Sequence, residues 1–439
     1  MSDPALPFPR NIVEAVVAEH GVAPGRASIR EMNRIVNAIE ARLGARFIRM
    51  EFGIPGLEPH PLAIEAEREA LAVRRLGGVY PPFDGLPELK NAAKGFAKAF
   101  LDLPIPAECA IPTEGAMHGC FISIGIASFR FRDRDTFLFL DPGFPVNKLQ
   151  CKVWGVRTES IDLYDHRGPK LIAALEERLA TGRIGGIMYS SPNNPSWVCL
   201  KESELAGIGA LCTKHRVIAV EDLAYFGMDF REEYGDPGIP PYQPTVARYT
   251  DQWILVISSS KIFSYAGQRV AVSIVSPALF EERCPALAAR FGTDRLGHAF
   301  VHGGIYPTTA GVVASAQVGL AALLNAVVEG KFRFTDPLRE YERRAQAMKA
   351  AFLKNGFRLV YDNDLGEPLA DGFYFTVAYG DLDGSRLLDE LLCYGVSAIA
   401  LAGTGSIREE GIRACVSLTS LDMMPELRRR LEAFHRDHA

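Results

Sequence analysis

Trp253-Ile254-Leu255-Val256-Ile257, followed at once by Ser258-Ser259-Ser260-Lys261, is the stretch from which the fold can be predicted. Five consecutive apolar residues are typical of a strand buried on both faces. A lysine just past such a strand lies in poorly hydrated surroundings, where its amine loses a proton readily and suits a Schiff-base nucleophile. The hydroxyls of Ser258 and Ser260 and the guanidinium of Arg269 could bind one phosphate beside it. Taken alone, the stretch fits a surface loop with a solvated lysine equally well.

Around this stretch, from about residue 108, short apolar runs alternate with helical segments. Strands and helices that alternate at this spacing predict an α/β fold with a mostly parallel sheet covered by helices on both faces. Ligands gather at the carboxyl ends of the strands in such sheets. Polar residues lie there in this sequence, at Asp141, Ser190 to Asn194, Asp222, and Ser258 to Lys261. The apolar runs are Thr136–Leu140, Ile184–Tyr189, Val217–Val220, Trp253–Ile257 and Val270–Val275.

The flanking segments predict further elements and a division into domains. Helices are expected from Ser28 to about Ala41, Pro61 to Leu76, Pro87 to Phe100, Asp336 to Asn355, Ser385 to Leu392, and from Pro425. Strands are expected at Phe47–Phe52, Phe357–Tyr361, Phe373–Ala378, Val396–Ala400 and Ile412–Leu418. We therefore expect an N-terminal arm with part of a small domain (1–60), a large ligand-binding domain (61–330) and a smaller α+β domain (331–439).

Composition excludes several classes of function. The 439 residues are 48% hydrophobic and 23% charged, which is ordinary for a soluble globular enzyme. A net charge of −5 without a dense Lys/Arg run argues against a nucleic-acid partner. No apolar run is long enough for a bilayer, and the first residues do not resemble a signal peptide. Eight scattered cysteines without a C-x-x-C pair predict reduced thiols in the cytoplasm. His298 and His302 lack an acidic partner, so no metal site is expected.

Three motifs occur in order, each at a predicted strand end: Ser-Pro-Asn-Asn-Pro (191–195), Glu-Asp-Leu-Ala-Tyr (221–225), and Ser-x-Ser-Lys (258–261) with Arg eight positions after the lysine. From about Ser28 to Arg413 the sequence resembles the fold-type I, pyridoxal-phosphate-dependent aminotransferases of class I and II. The resemblance implies pyridoxal 5'-phosphate as cofactor, and an L-amino acid and a 2-oxo acid as substrates. It also implies a ping-pong transfer of the amino group and a homodimer with shared active sites.

The resemblance assigns the reactive end of the cofactor to four residues. Lys261 matches the Schiff-base lysine, which also moves the substrate α-proton. Asp222 matches the aspartate that pairs with the pyridinium nitrogen and keeps the ring an electron sink. Asn194 and Tyr225 match the residues that hydrogen-bond the phenolic oxygen, and Asn194 is also expected near the substrate. Lys261, Asp222 and Tyr225 are the predicted catalytic residues.

The remaining assignments concern the phosphate, the ring and the substrate. The phosphate is expected on the backbone of Gly115 and Ala116 at a helix N-terminus, with Ser258, Ser260 and Arg269. Phe144 matches the aromatic that stacks on the ring, and Tyr80 matches a tyrosine that reaches the phosphate of the neighbouring subunit. Arg413 matches the arginine that binds the substrate α-carboxylate bidentately, and the backbone of Gly53 helps it.

Two positions depart from the family's pattern. Ser196-Trp197 follows Asn-Pro where the family usually has Thr-Gly, and Ala271 stands where it usually has Gly. These departures concern loops expected to shape substrate access, so they put the substrate in question more than the chemistry.

Alternatives stay open on the same residues. A C–S lyase, an amino-acid decarboxylase or a cyclopropane-forming synthase of the ACC-synthase type would use them too. A transcriptional regulator on this fold is disfavoured, because the roughly 50 residues before Gly53 show no basic helix-turn-helix pattern. The sequence does not name the amino acid.

Overall fold

The computed structural model describes residues 8–439, in which helices and strands alternate along most of the chain. The helices are α1 (Arg10–His20), α2 (Ile29–Leu43), α3 (Pro61–Ala72), α4 (Pro87–Leu101), α5 (Gly115–Phe129), α6 (Val146–Trp154), α7 (Pro169–Leu179), α8 (Glu202–His215), α9 (Ser259–Ile262), α10 (Pro277–Glu281), α11 (Ala288–Phe291), α12 (Leu296–His298), α13 (Tyr306–Thr309), α14 (Ala314–Val328), α15 (Thr335–Lys354), α16 (Gly384–Leu392) and α17 (Met424–His438).

The strands divide between one large sheet and several smaller ones. They are β1 (Ile48–Arg49), β2 (Ala110–Thr113), β3 (Thr136–Asp141), β4 (Arg157–Asp162), β5 (Ile184–Ser190), β6 (Ile218–Leu223), β7 (Trp253–Ser258), β8 (Ala271–Val275), β9 (Phe357–Leu359), β10 (Asn363–Asp364), β11 (Glu367–Pro368), β12 (Tyr374–Tyr379), β13 (Val396–Ser397), β14 (Ile399–Ala400) and β15 (Ile412–Cys415).

The large sheet has seven strands in the order β2-β8-β7-β6-β5-β3-β4. Strands β3 to β7 run parallel to one another, which confirms the predicted mostly parallel α/β sheet. The run Val270–Val275 was expected among the parallel strands, and this was wrong, because β8 is antiparallel to both of its neighbours. The connection from β7 to β8 contains only the four-residue α9 and a three-residue 3₁₀ helix, Ala266–Gln268, whereas a parallel crossover usually carries a full helix.

Both faces of this sheet are buried, as the apolar run of β7 predicts. Ile254 and Val256 pack in the same core cluster as Ile122 of α5. Leu255 and Ile257 belong to the other cluster, which includes residues of α4 and α14 such as Phe96 and Leu320. Successive side chains of a strand point to opposite faces, so β7 serves two cores at once.

The C-terminal part contains a four-stranded antiparallel sheet in the order β14-β15-β12-β9. The predicted strand Val396–Ala400 is divided in two. Its first half, β13, pairs with β1, while its second half, β14, pairs with β15. The N-terminal segment thereby joins the C-terminal part, as expected. The domain limits at residues 60 and 330 stay a prediction.

Several predicted elements are shorter than expected: the strands from Phe357 and Ile412 end at Leu359 and Cys415, and two further cases have a clear cause. The strand at Phe47–Phe52 is reduced to β1, because the chain beyond it leaves β13 and turns toward the ends of the large sheet. The helix from Pro61 ends at Ala72 and not at Leu76, since Arg75 adopts a left-handed backbone (φ 56°) and two glycines follow. The start of α2 is confirmed: the backbone N–H of Glu31 donates to Ser28 Oγ, and that of Ser28 donates to Glu31 Oε2.

A buried ionic network fastens β10 to segments next to the large sheet. Arg167 donates to Glu204 at 2.7 Å and to Asp364 at 2.5 Å. Arg231 donates to both Asp364 and Asp229 at 2.8 Å. The second oxygen of Glu204 also accepts from the backbone of Gly168 at 2.7 Å. Each carboxylate of this network therefore has a cationic partner. Among the described residues, no helix is both long and apolar enough to cross a membrane.

Candidate active site

Polar residues from the carboxyl ends of β5, β6 and β7 meet in one cavity of about 210 Å³. Most of the residues predicted for the site line this cavity: Gly53, Ala116, Phe144, Asn194, Asp222, Tyr225, Ser258, Ser260, Lys261, Arg269 and Arg413. Two predicted residues are outside its lining. Gly115 lies directly behind it, and the side chain of Tyr80 is 89% exposed on the surface.

Lys261 and Asp222 come together because β6 and β7 are neighbours and both end at this cavity. Asp222 is in register with Val256, and Lys261 follows the same strand in α9. Burial lowers the pKa of the Lys261 amine, and the nearby Asp222 carboxylate opposes this shift. Burial raises the pKa of Asp222 to about 6, against the opposing effect of Lys261. The lysine therefore gives up its proton more easily than an exposed lysine does.

One end of the cavity has the donors of an anion site. Ser258 caps α9, with its Oγ accepting from the backbone N–H of Ser260 at 3.2 Å. The guanidinium of Arg269 lies against Gly115 at the N-terminus of α5, so close that a Cβ at Gly115 would be 2.6 Å from its Nη2. Gly115 also has a φ of +68°, which disfavours any side chain there. Helix N-terminus, hydroxyls and guanidinium together suit a phosphate.

A hydrogen-bonded pair of tyrosines lies at the other end. Tyr225 is buried and forms a hydroxyl–hydroxyl bond of 3.1 Å with Tyr374 of β12. Burial raises the pKa of Tyr225, which keeps its hydroxyl protonated. Tyr374 was not predicted from the sequence. It lies diagonally across from Arg413, since Thr376 is the direct cross-strand partner of that arginine, and only the sheet register reveals this.

Arg413 is held by contacts from two other segments. Its side chain is buried, its Nη2 donates to the carbonyl of Glu51 at 2.7 Å, and its guanidinium carbon lies 4.6 Å from the ring centre of Tyr374. Glu51 is fixed in turn by Arg49 at 2.8 Å and by the hydroxyl of Ser397 at 2.6 Å. These contacts orient a planar donor beside Gly53, where the tyrosine hydroxyl fills the space that a Cβ at Gly53 would need.

The departures from the family pattern lie behind the cavity. Trp197 is buried, with its ring 5.3 Å from that of Tyr225 and 6.1 Å from that of Tyr374. Its indole occupies the position where a Cβ of Gly372 would be, so a side chain at Gly372 would collide with it. Ala271 pairs with Ser258 inside the sheet and is also buried. Neither departure lines the cavity, so the expectation that these loops shape substrate access stays a prediction.

The family comparison decides the class. A model of the family described as "Aminotransferase class I and II" matches residues 47–360, more than half of the chain. The chain belongs to this family. It is therefore a transaminase, an enzyme of the transferase class, with the fold-type I architecture.

Individual relatives of the class I and II aminotransferases are distant. An aspartate aminotransferase of Bacillus subtilis (strain 168) is 22% identical over 362 residues, covering 82% of this chain and 84% of the relative. A probable kynurenine–oxoglutarate transaminase of Saccharomyces cerevisiae is 22% identical and covers 52% of this chain and 51% of its own length. A solved aminotransferase from Mycobacterium tuberculosis superposes with a TM-score of 0.75 at 18% identity, covering 95% of this chain and 98% of that one.

The cavity fits the pyridoxal phosphate on which this family depends. Within residues 8–439, three buried polar atoms at the cavity have no hydrogen-bond partner: Asp222 Oδ1, Asn194 Oδ1 and Arg413 Nε. A carboxylate suits a protonated ring nitrogen, and a guanidinium suits a carboxylate. The free amide oxygen of Asn194 accepts, so the Nδ2 of the same amide is the atom that suits a phenolic oxygen. Over the same residues, no group of three or more His, Cys, Asp or Glu side chains is arranged to hold a metal ion. His298 and His302 only stack, with ring centres 4.0 Å apart.

Proposed function

We propose that this enzyme moves an amino group from an L-amino acid to a 2-oxo acid by a ping-pong reaction, with pyridoxal 5'-phosphate as cofactor and Lys261 as the Schiff-base lysine. One observation carries the proposal. Lys261, its pKa lowered by burial, lies in one cavity with the half-buried Asp222 at the ends of adjacent strands. A readily deprotonated amine beside a carboxylate suits this cofactor.

The catalytic residues divide the chemistry between them. When bound, pyridoxal phosphate supplies the electron-withdrawing ring that stabilises negative charge at the substrate α-carbon. Asp222, whose Oδ1 has no hydrogen-bond partner, would pair with the ring nitrogen and keep it protonated. The Nζ of Lys261 accepts the proton that leaves the α-carbon, as its depressed pKa allows. Asn194 through its Nδ2, and Tyr225 with its hydroxyl turned away from Tyr374, would donate to the phenolic oxygen.

The other residues position the two reactants. Gly115, Ala116, Ser258, Ser260 and Arg269 bind the phosphate. Phe144 stacks on the ring. Arg413, with the backbone of Gly53 and the amide of Asn194, binds the α-carboxylate of the substrate.

The proposal includes a cytoplasmic homodimer with shared active sites. Tyr80 projects from the surface together with exposed Leu71, Val73 and Val79, and such an apolar strip is typical of a surface covered by a partner. In the dimer, Tyr80 of one subunit would reach the phosphate bound in the other. All eight cysteines lie within the described residues and are free, which supports a reducing compartment.

Reconstitution with pyridoxal phosphate tests the proposal. Adding the cofactor should produce a visible absorbance band, and borohydride reduction followed by peptide mapping should label position 261. An amino donor should then convert the band to that of the amino form of the cofactor, and a 2-oxo acid should restore it. A colourless protein, or labelling at another lysine, contradicts the proposal. Release of ammonia or CO₂ without the amino form would favour a lyase or a decarboxylase instead.

The names of the relatives do not identify the substrate of this enzyme. They include aminotransferases named for aspartate, kynurenine and N-acetyl-LL-diaminopimelate. Acidic and aromatic donors are both among them, so the choice depends on the cavity of this chain.

A further inference from the structure

The cavity lining has two sources, and they separate cofactor from substrate. Within the lining, the side chains assigned above to the cofactor come from segments next to the strand ends of the large sheet and from the start of α5. A second group reaches the cavity from outside that sheet: Ile29 at the start of α2, the segment Phe52–Ile54, Tyr374 and Arg413. A substrate whose carboxylate is bound by Arg413 therefore extends its side chain among this second group and Met117 of α5, which lines the cavity and has no cofactor role assigned above.

Every charge of the described lining already has a role in the proposed function, on which this inference rests. The lining contains one carboxylate, Asp222, and three cations, Lys261, Arg269 and Arg413. Arg269 lies against the N-terminus of α5, at the phosphate end. Arg413 bonds the carbonyl of Glu51 and stacks on Tyr374, so its remaining donors match a single carboxylate. A second charged group on the substrate gains no partner from the lining of this chain, so only a residue of the partner subunit could offset its loss of hydration.

The surface left for the substrate side chain is apolar. Ile29 and Phe52 are half-buried on one side of the cavity, and Ile54 and Met117 are each 37% exposed at its edge. Hydrocarbon exposed around a cavity with a polar floor is typical of a site that takes an apolar group. Isoleucine, phenylalanine and methionine side chains offer no hydrogen-bond donor for a distal carboxylate.

We propose that the amino donor carries an uncharged, apolar side chain, in the class of leucine, methionine and phenylalanine, and that Ile29, Phe52, Ile54 and Met117 determine this preference. Since a hydrophobic pocket discriminates about tenfold or more for each methylene group that it accommodates, kcat/KM for leucine or phenylalanine should exceed that for aspartate or glutamate by at least about tenfold.

A binding measurement tests the class without turnover. Unreactive carboxylic acids are titrated by calorimetry into the protein loaded with pyridoxal phosphate, with 3-phenylpropionate and 4-methylvalerate against succinate and maleate. Tighter binding of the apolar monocarboxylates supports the proposal, and tighter binding of the dicarboxylates overturns it. If the apolar acids bind but no amino acid forms the amino cofactor, the transamination proposal fails while the substrate class stands.

Introducing a positive charge into the apolar surface tests which residues determine the preference. Ile54→Arg places a guanidinium at the edge of the cavity and should bring the two classes of acid closer in affinity by about tenfold or more. Met117→Lys repeats the test from a different segment, should one variant fold poorly. Ile239→Arg is the matched control, because Ile239 is 60% exposed and lies outside the cavity lining, and it should leave the affinity ratio of the two classes unchanged. An unchanged affinity ratio in both cavity variants would overturn the assignment of these residues.

Discussion

Two buried polar clusters of this enzyme differ in one respect. In the ionic network of Arg167, Glu204, Asp364, Arg231 and Asp229, each carboxylate meets a guanidinium within 2.8 Å. In the cavity, polar atoms of comparable burial have no partner among the described residues, as shown by Asp222 Oδ1, Asn194 Oδ1 and Arg413 Nε. One cluster is complete within the chain, whereas the other has bonding capacity left over.

The difference distinguishes a polar cluster that stabilises the fold from one that can bind a ligand. Buried polar groups in proteins are nearly all hydrogen-bonded, because an unpaired group costs about 1–3 kcal/mol. A cluster that pairs its own members holds the fold together and leaves nothing for a ligand. A cluster with unpaired atoms at a cavity lowers stability until a ligand binds them. Mutations in the two clusters should therefore change the free energy of unfolding in opposite directions.

The largest effect on stability is expected in the network. Arg167→Met leaves the carboxylates of Glu204 and Asp364 buried without this partner, which should reduce the free energy of unfolding by about 3–5 kcal/mol. Urea denaturation of the cofactor-free protein measures this. Arg178→Met is the control, since Arg178 is largely exposed and its partner Glu159 is 3.8 Å away. Equal losses in both variants would contradict the assigned role of the network.

A smaller effect, and on catalysis instead of folding, is expected at Arg413. Arg413→Lys keeps the charge but loses the bidentate geometry, so kcat/KM for the amino donor should fall by about 100-fold, equivalent to about 3 kcal/mol. Steady-state kinetics measures this, and the denaturation midpoint should change little. Arg358→Lys, on an exposed arginine outside the cavity, should leave kcat/KM as it is. A variant with normal kcat/KM would remove Arg413 from the substrate site.

Replacing Asp222 should raise the stability of the cofactor-free protein, whereas replacing a residue of the ionic network should lower it. Its pKa of about 6 in the folded protein exceeds the ordinary value of 3.8. The folded state thus binds the proton more tightly, and stability falls as pH rises from about 4 through 6. Asp222→Asn removes this cost, so the cofactor-free variant should be more stable than the native protein by about 1–3 kcal/mol at pH 8.

The pH dependence provides the check on that prediction. The advantage of Asp222→Asn should shrink toward pH 4.5 in urea denaturation of cofactor-free protein, where the native carboxyl is protonated. The same variant should bind pyridoxal phosphate more weakly at pH 8. A stability difference that does not change with pH would mean that burial does not raise the pKa of the Asp222 carboxyl.

The smallest effect is expected at the tyrosine pair. Tyr374→Phe removes one hydrogen bond to Tyr225, worth about 1 kcal/mol, and should shift the pH midpoint of the cofactor's absorbance by less than about one unit. Tyr379→Phe, in the same strand, loses a bond to His435 outside the cavity and should leave this midpoint unchanged. Equal pH midpoints in the two variants would show that Tyr374 does not affect the cofactor.

The sequence was sufficient where function depends on strand order and strand ends. Lys261 and Asp222 follow apolar runs, and parallel strands bring such ends to one edge, so their meeting was predictable. The direction of β8 was predictable too, had the short connection after β7 been weighed against the apolar pattern.

The remaining features depend on contacts between distant segments. Tyr374 faces Arg413 only through the register of β12 and β15. Asp364 meets Arg167 across 197 positions of the chain. Trp197 fits only because Gly372 leaves room for it. No local pattern encodes these distances, because periodicity and turn residues describe neighbours in sequence.

The position of Trp197 has an optical consequence. The chain contains three tryptophans, and the indole of Trp197 lies 5.3 Å from the ring of Tyr225. Tyr225 also lines the cavity, so a chromophore bound there that absorbs in the near ultraviolet would lie close enough to accept energy from this indole. We therefore expect the tryptophan emission to fall when such a ligand binds, which would allow ligand exchange to be followed without any label.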